Sequence, residues 1–178
     1  MASRYLVSSG LWNSTARWSA SLGGPSGASV PTSVDDVFLP NAFNLIVDSA
    51  YTASCKTLDC TGYTGTLSDG GAGATILFYG NVTLSASMGF TFTGNLFWYA
   101  SGTLITNGKS LASASTIFVN AAGITLTLGG AVTCSYFSVQ SGSLAVGSNT
   151  LTCTAQMQLA NAAGSRTVTN TGGSIVVT

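Results

Sequence analysis

The sequence has no histidine and no glutamate, and its only charges are five Lys or Arg and five Asp among 178 residues. Without an imidazole, the commonest general acid/base and the usual metal ligand are both missing, which removes Ser-His-Asp triads, Cys-His pairs and most zinc sites. The basic residues Arg4, Arg17, Lys56, Lys109 and Arg166 are scattered along the chain, so no phosphate-tracking patch forms and nucleic-acid binding is not expected. Long apolar runs are missing as well. The richest, Leu96-Phe97-Trp98-Tyr99-Ala100, is far short of the roughly 18 residues a membrane helix needs. No apolar core follows Met1-Ala2-Ser3-Arg4, so the chain reads as soluble, unsecreted and without membrane partners. These absences together predict a non-enzymatic protein with no cofactor, no catalytic residue and no metal.

What fills the space is small and hydroxylated: 25 Ser, 24 Thr and 22 Gly make up 71 of the 178 positions. Hydroxyls and backbone replace charge. With 46% apolar residues and a mean hydropathy of +0.43, the chain is too hydrophobic to be disordered, and its length fits one domain. Cys55, Cys60, Cys134 and Cys153 form no CxxC pair and read as buried reduced thiols, which behave as small hydrophobes. The spacing of 19 between Cys134 and Cys153 predicts a stacked thiol pair.

A repeat with a period close to twenty organises the chain. Large apolar residues within short β-type runs recur at Phe38, Leu58, Phe78, Trp98, Phe118, Phe137 and Met157, in steps of 20, 20, 20, 20, 19 and 20. The runs alternate apolar and small polar residues, as in Phe90-Thr91-Phe92-Thr93 and Ile124-Thr125-Leu126-Thr127, the period-two mark of half-buried strands. A unit this short, made of short strands, cannot bury its own apolar face and must stack on copies of itself. The predicted fold is all-β, a parallel β-helix (solenoid) of about six coils over residues 35–178, roughly 30 Å tall at about 4.8 Å per coil. Three positions before each marker, Cys55, Thr75, Asn95, Ser115 and Cys134 form a second expected column. The competing fold is an antiparallel β-sandwich, which explains the strands but not the persistent register.

Residues 1–34 do not join the repeat and read as an irregular N-terminal arm or cap, holding Trp12, Trp18, Pro25 and Pro31. Asp35-Asp36 is the one adjacent carboxylate pair. Neighbours on a strand face opposite ways, so the two cannot flank one bond as acid and base, and they read as an anchor for the arm. Asp48, Asp59 and Asp69 could supply oxygens to Ca²⁺, but no calcium-loop spacing is present. The aromatics Phe90, Phe92, Phe97, Trp98 and Tyr99 gather in two neighbouring coils and read as core filling with one packed outer face, or as a subunit interface.

The order Ser9-Gly10-Leu11-Trp12-Asn13, Arg17-Trp18-Ser19, Gly23-Gly24, Gly27 to Thr32, then Asp35-Asp36-Val37-Phe38 and Leu58 to Leu67, resembles a module of bacteriophage virion proteins that precedes a Ser/Thr/Gly-rich solenoid. The resemblance covers about the first 70 residues, the rest being similar only in style, and implies a virion structural role. Because the chain holds little besides the module, it implies a capsid decoration (cement) protein on the capsid surface, assembled in the host cytoplasm. Its partner would be the major capsid protein, and by analogy it would be a homotrimer. Trp12, Arg17, Trp18, Pro25 and Pro31 are the expected capsid-binding residues. The alternative is a tail-fibre or tail-spike module that binds host surface glycan.

Overall fold

The structure is a computed structural model that describes residues 1–71, 73–113, 116–159 and 166–178. It is a three-sided stack of parallel rungs. On the first face lie, in stacking order, Ser3–Leu6, Asp36–Phe38, Thr57–Asp59, Val82–Thr83 and Gly102–Ile105, followed by the far halves of the long strands Thr116–Leu128 and Val132–Gly147, then Arg166–Asn170. The second face stacks Gly10–Leu11, Leu45–Val47, Thr66–Asp69 and Gly89–Thr91. The third stacks Thr52–Cys55, Thr75–Phe78, Asn95–Trp98, the near half of Thr116–Leu128, the middle of Val132–Gly147 and the end of Thr150–Leu159. About six complete coils result, and all this pairing is parallel. The sole antiparallel pair among the described residues joins Ser3–Leu6 to Trp18–Ser19, and a single 3-10 turn, Thr15–Arg17, is the only helical element there. The solenoid prediction holds and the sandwich does not.

The core is a filled axial column. On the third face Ala53, Ile76, Leu96, Ile117, Phe137 and Met157 are successive partners, and beside them run Cys55, Phe78, Trp98, Val119, Val139 and, exposed at the last rung, Leu159. On the first face the inward partners are Val37, Leu58, Val82, Leu104 and Leu128. Alternation within each strand, inside then outside, is what the period of two dictates.

The coil length is not constant, and here the structure corrects the sequence register. Steps between partners are 23, 20, 21, 20 and 20 on the third face, against 21, 24, 22 and 24 on the first. Corners absorb the difference. Of the seven marker residues, only Phe78 with Trp98 and Phe137 with Met157 are direct partners. Phe38 pairs with Asp59, and Leu58 with Val37 and Val82, both on the first face. Phe118 pairs with Phe97 and Ser138 and points outward, because a one-residue slip reverses every side chain of a strand. The second expected column likewise keeps one contact, Thr75 with Asn95. Cys55 pairs with Phe78, Cys134 lies between Leu111 and Cys153, and Ser115 is outside the described residues.

Candidate functional site

Residues 1–34 are welded to the coil stack. Ser3–Leu6 and Gly10–Leu11 add an outermost rung on two faces, and the chain then folds back over the end through Trp18–Ser19. Trp12 and Trp18 are both 0% exposed, so they cannot touch a partner in the folded protein. They plug the solenoid instead, where a bare end would expose apolar core and unpaired strand edges. Pro31 is buried as well, Arg17 is half-buried and Pro25 is exposed. The Arg17 guanidinium donates from Nη1 to Ser8 Oγ at 3.0 Å and lies on Gly10, where a Cβ would meet Nε at 2.5 Å. Gly10 also has a φ of +145°, which only glycine adopts readily. Gly10, Trp12, Arg17 and Trp18 thus serve this closure.

Asp35 locks it. Its carboxylate accepts from Thr32 Oγ1 at 2.7 Å, Thr32 N–H at 3.0 Å and Ala2 N–H at 3.3 Å, with Arg4 Nη2 at 4.0 Å. Burial alone would push this carboxyl up, but the Thr32 bonds, the Arg4 charge and the Ala2 N–H outweigh it and hold the pKa below the ordinary carboxylate value. Three more carboxylates are engaged: Asp36 accepts from Thr57 Oγ1, Asp59 from Thr61 N–H, and Asp69 from Thr93 N–H and Oγ1. The chain's aspartates are thereby largely committed to structure. No group of three or more His, Cys, Asp or Glu among the described residues could hold a metal ion, and no helix there is long and apolar enough to cross a membrane.

At three corners a side chain clips one coil to the next. Thr66 N–H donates to Asn44 Oδ1, Thr103 N–H to Asn81 Oδ1 and Thr125 N–H to Ser101 Oγ, at 2.9 to 3.0 Å. A short polar side chain one coil below thus supplies an acceptor to a backbone donor at the turn. Sequence reading missed these clips, although donor and acceptor stand 22 or 24 positions apart, about one coil.

All four thiols are buried and free. Cys134 Sγ lies 3.9 Å from Cys153 Sγ, the stacked pair expected. That contact, together with burial, raises the Cys134 thiol well above its ordinary value, and burial does the same to Cys55 and Cys60.

The aromatic cluster divides by face. Phe92 and Trp98 fill the core. Phe97 and Tyr99 point outward and continue a ladder on the third face, Phe97 stacked on Phe118 at 4.3 Å and 8°, and Tyr99 on Tyr79 at 5.9 Å and 22°. Asn120 Nδ2 donates to the Tyr99 hydroxyl at 2.9 Å. Eight large hydrophobics are exposed among the described residues: Met1, Leu11, Leu22 and Val34 on the N-terminal segment, Leu159, Val176 and Val177 on the last coils, and Tyr136 on the third face. No family model, no curated protein and no solved structure matches this chain.

Proposed function

We propose that the chain is a non-enzymatic structural protein of a bacteriophage virion, a decoration (cement) protein that binds the major capsid protein on the capsid surface and stabilises the head. The reading rests on the resemblance of about the first 70 residues to a virion module, and the cap decides which residues are left for attachment. Its virion-type motif residues, from Gly10 through Trp12, Arg17 and Trp18 to Asp35, are spent on closing the coil stack. Attachment therefore falls to the outside of the cap, where Leu11, Leu22 and Val34 are exposed and Pro25 stands close to Leu22 in sequence, and not to Trp12 or Trp18. Neutral apolar and hydroxyl surface suits burial in a large static interface, since interface cores shun charge. The protein acts as a homotrimer, a closed symmetric form of the kind most soluble oligomers take, and assembles in the host cytoplasm.

The second reading, a tail-fibre or tail-spike module that binds host glycan, differs in stoichiometry. Copies per purified particle, measured by quantitative mass spectrometry against the major capsid protein, separate the two. Hundreds of copies support cement, and a handful would sink it.

A further inference from the structure

Outward positions on three successive rungs of the third face form a groove. Thr116 and Phe118 contribute from the first rung, Tyr136 and Ser138 from the second, and Gln156 and Gln158 from the third, around a volume of about 470 Å³ counted with its open mouth. The strand register sets Phe118, Ser138 and Gln158 side by side, and Tyr136 next to Gln156. No charged residue lines it.

Two features mark this groove off from ordinary solenoid surface. Tyr136 is 42% exposed, on a face where Tyr79, Phe97, Tyr99 and Phe118 are half-buried in stacked pairs. Ser138 is only 3% exposed although it points outward, and its Oγ is buried with no hydrogen-bond partner among the described residues. A buried hydroxyl left unpaired costs free energy, and such groups in native structures call for a partner.

The chemistry around it selects the ligand. A sugar ring has one face of C–H groups and a rim of hydroxyls. Phe118, held by its stack on Phe97, and the open Tyr136 ring supply apolar faces at little ordering cost. Gln156 and Gln158 amides both donate and accept, as do the Thr116 and Ser138 hydroxyls. A phosphate or carboxylate would find no counter-charge here. We propose that this groove binds a neutral saccharide, a hexose ring lying on Tyr136 with its hydroxyls reaching Gln156, Gln158 and Ser138. The groove gives the host-glycan reading a site, and its test in solution is separate from the copy number that decides between head and tail.

The 178-residue chain is titrated by calorimetry with maltohexaose, cellohexaose, mannohexaose and, as a charged control, polygalacturonate. At least one neutral probe is expected to bind with a Kd of about 1 mM or tighter. Tyr136→Ala should then weaken it by about tenfold or more, and Ser138→Ala by roughly threefold to tenfold. Ser138→Ala removes an unpartnered buried hydroxyl, so its melting temperature should be unchanged or raised, which separates lost binding from lost fold. Gln158→Ala, at an exposed position, gives a second variant that leaves folding intact and should also weaken binding. The proposal is overturned if no neutral probe binds, if polygalacturonate binds as tightly, or if the folded Tyr136 and Ser138 variants bind like the parent.

Discussion

The Trp18 indole N–H donates to the main-chain carbonyl of Trp12 at 2.7 Å, and the two rings meet edge to face at 5.2 Å with planes 65° apart. One tryptophan thus fixes the other, and both vanish from the surface. That single relationship turns residues 1–34 from a free arm into a lid on the coil stack, and it puts both rings out of a partner's reach.

Trp18→Ala should therefore act on stability and not directly on partner binding. Deleting a fully buried Trp typically costs about 3 to 5 kcal/mol. Equilibrium denaturation should show that loss, whereas Trp18→Phe should recover part of it, still lacking the N–H. A Trp18→Ala protein as stable as the parent would mean the lid is not packed as described.

Asp35 makes the lid acid-sensitive. Its folded pKa lies below its unfolded value of about 3.9, so its contribution is fully present above that value and is lost as pH falls through the lower folded pKa. Melting temperature should fall as pH drops below about 4, and Asp35→Asn should flatten part of that fall while lowering stability at pH 7. An unchanged acid profile in Asp35→Asn would remove the carboxylate from the account.

The thiols should be silent. Cys55, Cys60, Cys134 and Cys153 are each 0% exposed, and thiolate formation is opposed at Cys55, Cys60 and Cys134. A chromogenic disulfide reagent at pH 8 should label none of them in the native protein and all four in denaturant. Rapid native labelling would show that a coil opens.

Close stacking at corners can be read from two glycines. A Cβ on Gly94 would lie 2.1 Å from the Ala74 carbonyl oxygen, while one on Gly130 meets nothing within 4 Å. Gly94→Ala should cost about 1 to 3 kcal/mol by forcing backbone apart, and Gly130→Ala should be neutral or stabilise by up to about 1 kcal/mol through the unfolded chain. Thermal melts of the pair check this directly.

The coil stack is legible in the sequence because apolar residues return at nearly fixed spacing, and from Ile76 onward the third face does keep steps of 20 or 21. The register is not legible residue by residue. Phe118 looks like Trp98 in sequence, yet Val119 is the inward partner of Trp98, because one extra residue in a corner reverses the strand and composition does not report it. Trp12 and Trp18 announce an N-terminal closure, but residue type alone does not separate a tryptophan that grips a partner from one that fills the lid. The groove is invisible for a related reason. Phe118, Ser138 and Gln158 share no motif and stand a full coil apart in the chain, and only the parallel register sets them side by side.

The central claim is best tested by an electron cryomicroscopy reconstruction of particles carrying this chain. Three-sided coil stacks should stand on the outer capsid surface in many symmetric copies, with the Trp12–Trp18 lid turned toward the major capsid protein and Leu22 and Val34 at the contact. Density for the stack confined to the tail, or coils lying on the capsid with the lid facing solvent, would contradict it.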